Sequence, residues 1–334
     1  MTSLVYMIKQ PMALFKRGLQ KCTELYFRIH FSWPIWYYVI NRKPRMLLQS
    51  NLPKLTPVQI RLVNDLLEKG IAVTSLQELF PDQPNLLGQL WQYVQEKRKE
   101  KNDISFTKPF LRYLWDIHPV LSPSDPFHRL VIDEKILNVV NSYLGMFSNF
   151  YILMLNVTVP VGDNANPMFS QEWHRDHEDK KLCKIFLYLN DIDEQSGPFI
   201  YIPSSVYGKK WGHLFPQEVP KGAYPPSTDL ERIIPISQIM KMTGRAGTLI
   251  FADTTGFHKG GYAFSKERIM LTAGFRTNAS ASICKVDRSG MSLSGAYPSV
   301  RYALTSEVPI AISRVMFNAY KNLRSKKTKK IEMD

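Results

Sequence analysis

The stretch EWHRDHEDKKLCKIFLYLND (172–191) decides how the second half of this chain folds. Its first part crowds His174, Asp176 and His177 among other charged residues, and its second part alternates as a β-strand does. One face of that predicted strand carries Cys183, Ile185, Leu187 and Leu189. A polar cluster directly before a strand is either a surface turn or a group of side chains that bind something.

Short strand-like runs continue on both sides of this stretch. They are separated by clusters of Gly, Pro, Asn and Asp, and no helical period of useful length lies between them. Consecutive short strands without helices between them favour an antiparallel sandwich or barrel over a parallel α/β sheet. The runs are FYILMLNVTV (150–159), PFIYIPSS (198–205), AGTLIFAD (246–253) and RIMLTAGFR (268–276).

The region before residue 149 has mainly helical patterns. In TPVQIRLVNDLLEKG (56–70), Thr56 is a predicted N-cap, Gln59 completes a capping box and Gly70 ends the helix. A short strand and a turn of helix follow in GIAVTSLQELF (70–80). Two further helices are predicted in NLLGQLWQYVQEKRKEK (85–101) and DEKILNVVNSYLG (133–145).

The net charge of +14 belongs to the two ends of the 334-residue chain. Residues 1–45 carry +7 and residues 312–334 carry +5, so the middle is nearly neutral. Three scattered cysteines form neither a disulfide framework nor a CxxC zinc site, and no signal peptide is recognisable. We therefore expect a cytoplasmic protein. The neutral middle and the lack of a reader motif make nucleic acid an unfavoured partner.

The N-terminal segment predicts a basic amphipathic helix. From Met12, apolar residues recur at spacings of three and four, and the aromatic stretch LYFRIHFSWPIWYYVI (25–40) follows. One interpretation is peripheral contact with an anionic membrane through residues 1–45 and 312–334. The other is a helix whose apolar stripe packs on the catalytic domain. The predicted stripe is Met12, Phe15, Leu19, Cys22, Tyr26 and Ile29.

A candidate metal site combines this cluster with a later histidine. In an extended segment His174 and Asp176 point to the same side, whereas His177 points to the other. GTLIFADTTGFHKGG (247–261) places His258 just after a predicted strand. Two histidines and one carboxylate form the facial triad of non-haem Fe(II) oxygenases. The alternative is a surface His–x–Asp pair with a core histidine, and the order and strand context favour the metal.

Ten residues after the distal histidine, Arg268 begins the last predicted strand. It supplies a fixed cation suited to a bidentate contact with a small dicarboxylate. Arg276 shares its face at the other end of that strand. There, contact with an anionic substrate group and outward exposure are both open.

The run 150–277 resembles the phytanoyl-CoA dioxygenase family of Fe(II)/2-oxoglutarate oxygenases. The matching pieces are EWHRD (172–176), KIFLYLNDID (184–193), SGPFIYIPSS (196–205), GTLIFADTTGFHKGG and the strand of Arg268. The resemblance implies a double-stranded β-helix, a jelly-roll or cupin-like core with a helical N-terminal layer packed on it.

By the same resemblance His174, Asp176 and His258 would be the iron ligands, and Arg268 would pair with the distal carboxylate of 2-oxoglutarate. Asn156 matches a position that contacts the cosubstrate. The implied cosubstrates are 2-oxoglutarate and O2, the products succinate and CO2, and the reaction hydroxylation of an unactivated C–H bond. Halogenases of this type lack the carboxylate.

Two positions depart from the family pattern. A Pro-Gly-Ser-His turn is replaced by PSSV (203–206), and a hydroxyl residue two positions after the distal histidine is replaced by Gly260. Both changes bear on cosubstrate and substrate contacts and leave the three ligands in place.

The predicted organisation is a basic aromatic leader over 1–52, a catalytic domain over 53–310 and a basic tail over 311–334. Within the domain, 53–148 is expected to be mainly helical and 149–280 to form the jelly roll. The expected substrate is a small molecule or lipid-like compound. Two alternatives stay open: a non-catalytic, membrane-associated jelly roll that binds a metabolite, and a metal-dependent cupin-type isomerase or hydrolase that does not use 2-oxoglutarate.

Overall fold

A computed structural model describes residues 17–100, 106–161, 168–280 and 282–305, together with 315, 316 and 318. The predicted helix positions Met12 and Phe15, and nearly all of the basic tail, therefore lie outside the described residues.

The larger β-sheet has seven strands in the order β1-β8-β5-β10-β4-β3-β2, and every neighbouring pair is antiparallel. Its central strand is β10, which pairs with β4 on one side and β5 on the other. The strands are β1 (Ile71–Ser75), β2 (Phe106–Lys108), β3 (Leu111–Tyr113), β4 (Asn149–Thr158), β5 (Cys183–Tyr188), β8 (Thr248–Ala252) and β10 (Arg268–Arg276).

The smaller sheet has the order β7-β6-β9 and consists of β6 (Phe199–Tyr201), β7 (Met240–Met242) and β9 (His258–Gly260). An antiparallel bridge from His258 to His174 extends it by one chain segment. The space between the sheets is filled by side chains from both, including Phe186, Tyr188 and Met270. This arrangement is the predicted double-stranded β-helix.

Helices cover the outer face of the larger sheet. Ile185 and Leu271 belong to one apolar core with Leu62 of α3 (Pro57–Lys69), Leu90 of α5 (Leu86–Glu100) and Leu137 of α7 (Glu134–Leu144). β5 and β10 are therefore buried on both faces. The other helices are α2 (Arg42–Ser50), α4 (Leu76–Leu79), α6 (Pro126–Val131), α8 (Ser227–Ile233) and α9 (Pro298–Thr305), with a π-helix at Ile35–Ile40 and 3₁₀ turns at Phe169–Gln171 and Ile236–Gln238.

The predicted helix ends of α3 are confirmed. The Thr56 hydroxyl accepts from the Gln59 N–H, the Gln59 side chain accepts from the Thr56 N–H, and Gly70 is left-handed. Gly145 ends α7 in the same way. In both helices glycine adopts a positive φ that other residues reach only with strain.

The described part of the N-terminal segment begins with helix α1 (residues 17–30), which packs on the core formed by the larger sheet and its helices. The predicted apolar stripe makes that contact only in part, because Tyr26 packs against the core whereas Cys22 and Ile29 are exposed. Phe27 and Phe31 enter the core instead, and His30 Nε2 hydrogen-bonds the Ala279 carbonyl oxygen at 2.7 Å. Of the helices that the structure describes, none has the length and apolar character needed to cross a bilayer.

Candidate metal centre

The structure brings His174, Asp176 and His258 together at the smaller sheet. The backbone bridge between His174 and His258 places the two imidazoles side by side, with ring centroids 4.1 Å apart. His174 Nε2 lies 3.9 Å from Asp176 Oδ1, and His258 Nε2 lies 3.6 Å from Asp176 Oδ2. One ligand atom from each residue falls within 4.8 Å of the others, so a single ion can reach all three.

Hydrogen bonds orient both imidazoles toward that common point. His174 Nδ1 lies 2.8 Å from the Glu172 carbonyl oxygen, and His258 Nδ1 lies 3.0 Å from that of Gly256. A carbonyl accepts only, so each Nδ1 carries the proton and each Nε2 keeps its lone pair. This is how metal-binding histidines are held, and the donor set therefore fits a divalent ion.

The protonation of His258 and Asp176 suits the same use. Burial and the neighbouring His174 lower the pKa of His258 to about 3, which keeps its imidazole neutral. Burial alone would raise the pKa of Asp176, but the Lys184 ammonium holds it well below its ordinary value. The cluster thus offers a neutral His258 nitrogen and one carboxylate beside the Nε2 of His174.

Lys184 is a site residue that sequence reasoning missed. Its ammonium lies 2.6 Å from Asp176 Oδ2 and 3.3 Å from Glu178 Oε1, and the three side chains are only 12–13% exposed. The Tyr151 hydroxyl donates to the same Glu178 oxygen at 3.2 Å. A signal existed in the sequence, because Lys184 shares a strand face with Phe186 and Tyr188, where a lysine needs a buried acidic partner.

Arg268 is buried at the end of β10 nearest to β9. Its Nη1 donates to the Gly197 carbonyl oxygen and its Nη2 to the Thr158 hydroxyl at 3.1 Å. Within the described part of the chain its Nε has no hydrogen-bond partner, and no carboxylate forms an ion pair with it. Burial lowers the pKa of Arg268 from its ordinary value, as expected for a cation without an acid beside it.

Gly260 lies close to the Arg268 guanidinium and in the same strand as His258. A Cβ on Gly260 would lie 3.8 Å from Arg268 Nη2. His258 and Gly260 are two residues apart in β9, which is about 7 Å at the ordinary rise of a strand.

The two departures from the family pattern are visible here. A side-chain hydroxyl at position 260 would point toward Arg268, whereas in this chain Thr158, opposite Arg268 in the β4–β10 register, places its own hydroxyl there. Ser204 has a φ of 58°, a left-handed conformation that the glycine of the family turn would adopt freely.

Asn156 lies on the same inward face of β4 as Thr158, opposite Met270. It is buried, and in the described residues its Oδ1 has no hydrogen-bond partner. Its position beside the arginine end of the interior is therefore known, and contact with a cosubstrate stays a prediction.

Arg175 and Gln217 hold the chain segment of His174 and Asp176 in place from the side opposite those two side chains. Arg175, between His174 and Asp176, points away from them and donates to the Thr255 and Leu214 carbonyl oxygens at 2.7 and 3.0 Å. The Gln217 amide donates to the Asp176 carbonyl oxygen. Arg175 and Gln217 also line a cavity of about 550 Å³ under α1, which lies across the strand from the three clustered side chains.

Arg276 is fully buried, so the expectation of outward exposure is wrong. Its Nη1 donates to the Ser280 hydroxyl and the Ser282 carbonyl oxygen, its Nε contacts Asn149 Oδ1 at 3.4 Å, and its guanidinium lies 4.7 Å from the Tyr151 ring centroid.

No protein-family profile matches the chain. Its sequence is 24% identical over 205 residues to an ectoine dioxygenase of Bordetella bronchiseptica and, equally, to one of Bordetella parapertussis. Each alignment covers 55% of this chain and 64% of the relative, so the similarity spans less than two thirds of either relative.

Solved structures with a similar course of the chain include the epimerase SnoN in complex with Fe3+, alpha ketoglutarate and nogalamycin RO. That match has a TM-score of 0.47 at 16% identity and covers 75% of this chain and 93% of SnoN. EctD from S. alaskensis with bound Fe gives 0.46 at 16% identity, over 70% of this chain and 83% of EctD.

Proposed function

We propose that this protein is an Fe(II)- and 2-oxoglutarate-dependent dioxygenase that hydroxylates an unactivated C–H bond. The single observation that carries the proposal is the cluster of His174, Asp176 and His258, with both Nε2 atoms turned toward one carboxylate. Two histidines and one carboxylate on one side of an ion leave positions open for other ligands. The ectoine dioxygenases, 24% identical, support the same class.

Arg268 would bind the distal carboxylate of 2-oxoglutarate. Its buried guanidinium keeps an unpartnered Nε and has no acid beside it among the described residues. An arriving carboxylate would supply the missing counter-charge and accept charge-assisted hydrogen bonds. Thr158 would orient the guanidinium through Nη2, and Asn156 would contact the cosubstrate from the neighbouring position of β4.

Iron bound at this site, with 2-oxoglutarate and O2, would supply the oxidant and release succinate and CO2. The chain's own part is to hold three ligands and exclude water. Phe199, Tyr188 and Met270 pack in the interior beside the cluster, and the Phe199 ring lies 5.8 Å from that of His258. Lys184 keeps Asp176 ionised and fixed through one carboxylate oxygen.

The test is anaerobic addition of Fe(II) and then 2-oxoglutarate to the purified protein, followed by visible absorption. We expect a weak metal-to-ligand charge-transfer band, lost in Asp176→Ala and weakened in Arg268→Ala. Bound iron is measured in parallel. A protein that binds iron but shows no band at any 2-oxoglutarate concentration contradicts the proposal and favours a cupin-type isomerase or hydrolase.

A non-catalytic binding jelly roll is distinguished by turnover. Many enzymes that use this cosubstrate consume it slowly without the main substrate, so succinate formation with Fe(II) and O2 is the expected result. A charge-transfer band without any succinate, with or without candidate substrates, would favour the binding module.

The substrate is proposed to be a small molecule, and within that class a lipid-like or membrane-proximal compound. The support is the basic, aromatic N-terminal segment on the catalytic domain. A panel of short-chain polar compounds, including ectoine, against amphiphiles presented in vesicles separates the two possibilities by which of them accelerates succinate formation.

A further inference from the structure

Helix α1 and the segment after it have two apolar faces, and only one is used by the fold. Phe27, Phe31 and Trp36 are buried in the main core. Leu25, Ile29 and Trp33 remain 57%, 54% and 49% exposed. These three recur at intervals of four, so Leu25 and Ile29 lie on one side of α1. Further along, Tyr38, Val39 and Met46 are also exposed.

Hydrogen bonds on the inner face anchor the segment that carries the exposed apolar residues. The Trp36 indole donates to Asp179 Oδ1 at 3.0 Å, and the Asn41 amide donates to the Thr277 hydroxyl at 3.1 Å. Because the inner face is bonded to the catalytic domain, Leu25, Ile29 and Trp33 cannot turn inward without breaking buried contacts. The contacts of the inner face therefore keep these three side chains exposed.

After Glu24, the sequence that carries these residues has charge of one sign as far as Asp65. No Asp or Glu occurs between Glu24 and Asp65, whereas Arg28, Arg42 and Lys43 are exposed. In the part of the chain that the structure describes, none of these three cations has an acid within ion-pair distance. An exposed apolar stripe bordered by unpaired cations complements a surface that is negatively charged and apolar underneath.

We propose that this docking face (Leu25, Ile29, Trp33, Tyr38, Val39 and Met46 with the flanking Arg28, Arg42 and Lys43) binds the surface of an anionic lipid bilayer. A second copy of the chain is less suitable, because a two-fold interface would oppose this positive surface to itself. Leu25, Ile29 and Trp33 enter the interfacial region, and the cations contact lipid phosphates. The inference is independent of the proposed iron chemistry.

The experiment is flotation of the full-length protein with vesicles of phosphatidylcholine alone or with added phosphatidylserine. We expect binding to the anionic vesicles that weakens as salt is raised. Arg42→Glu/Lys43→Glu should lower the partition coefficient about thirtyfold or more, since each basic residue near such a surface contributes roughly fivefold. The matched control is Lys210→Glu/Arg245→Glu, which reverses two exposed cations elsewhere and should bind more tightly than the Arg42/Lys43 variant.

The apolar part is tested by Leu25→Gln/Ile29→Gln against Leu67→Gln, an exposed apolar residue of α3. The first should lose most binding and the second should keep it, with unchanged thermal unfolding in both. Brominated lipid should quench tryptophan emission in the wild type and much less in Trp33→Phe.

Three results would overturn the inference. The first is a wild type that stays unbound by anionic vesicles. The second is equal binding by the wild type and the Leu25/Ile29 and Arg42/Lys43 variants, which would assign binding to another basic segment. The third is a concentration-dependent dimer that these same variants abolish, which would make the occupant a second copy.

Discussion

Strand β10 carries a buried arginine at each end, and the two have opposite surroundings. Arg276 donates to Ser280, Ser282 and Asn149, and the carboxylates of Glu178 and Asp179 are close enough to influence its pKa. Arg268 contacts one carbonyl and one hydroxyl, and no carboxylate of the described residues influences its pKa. Both side chains point to the same face of the same strand.

The difference shows how a buried charge is assigned a role. Burying an ion costs free energy unless hydrogen bonds and counter-charges offset the loss of water. Arg276 donates to three acceptors and has carboxylates close enough to influence its pKa, and among the described residues only its Nη2 is without a partner, so this arginine stabilises the fold. At Arg268 the counter-charge is missing from the described residues, so this arginine suits an anionic ligand. Burial alone would not have separated the two.

The largest expected effect is on stability at the Arg276 end. Arg276→Met should lower the free energy of unfolding by about 3–5 kcal/mol, because it leaves the buried acceptors of Ser280, Ser282 and Asn149 without their guanidinium donor. Urea unfolding of the metal-free protein measures this. Arg268→Met is the matched variant and should keep wild-type stability or exceed it. Equal losses in both variants would break the comparison.

For the binding of 2-oxoglutarate, replacing Arg268 should have the larger effect and replacing Arg276 the smaller one. Arg268→Met should weaken binding about a hundredfold, because it loses two charge-assisted hydrogen bonds worth roughly 1.5–3 kcal/mol each, partly offset by the smaller cost of a buried charge. The measurement is titration of the charge-transfer band. A milder replacement at the other end, Arg276→Lys, should stay within about threefold of wild type if it remains folded.

The buried carboxyl group of Asp179, close to Arg276, should make the stability of the protein depend on pH. Burial raises its pKa to about 6 from an ordinary 3.8, against the donors Trp36, Thr277 and Lys180. Between these values the folded protein holds a proton that the unfolded chain has released, so the free energy of unfolding falls as pH rises. From pH 4 to 6 this amounts to about 2 kcal/mol. Asp179→Asn should remove that part of the slope, and an unchanged slope would contradict it.

The smallest effect is expected at Thr158. Thr158→Val removes the hydroxyl that accepts from Arg268 Nη2 and should weaken 2-oxoglutarate binding about fivefold, or roughly 1 kcal/mol. Met154→Val, four residues back along the same face of β4, is the control and should leave that affinity unchanged. Equal effects of both would mean that packing, rather than the hydroxyl, is responsible.

Local patterns were enough for most elements of the fold. The predicted strand RIMLTAGFR is β10 from its first residue to its last, and α3 begins and ends at its predicted caps. Alternation and capping depend only on residues close together in the chain, so they can be recognised in a sequence without knowledge of the fold. The three-residue strands β7 and β9 were missed because they are too short to show a period.

The face of α1 could not be predicted correctly. Both Cys22 and Phe27 lie on apolar-looking sides of the helix, and which of them is buried depends on the position of the loop at 277–280. The partner of Lys184 could not be predicted either, because β5 and the segment that carries Asp176 come together only in the folded protein.

By itself, then, the sequence determined the longer strands, the ends of α3 and α7, the order of the His174, Asp176 and His258 positions and the basic charge of the N-terminus. Only the tertiary structure decided that these three side chains meet, that carboxylates lie near Arg276 but not near Arg268 among the described residues, and that Leu25 and Ile29 face outward. The physical reason is range: periodicity and capping act between near neighbours, whereas burial and counter-charge depend on residues that the fold brings together from far apart in the chain.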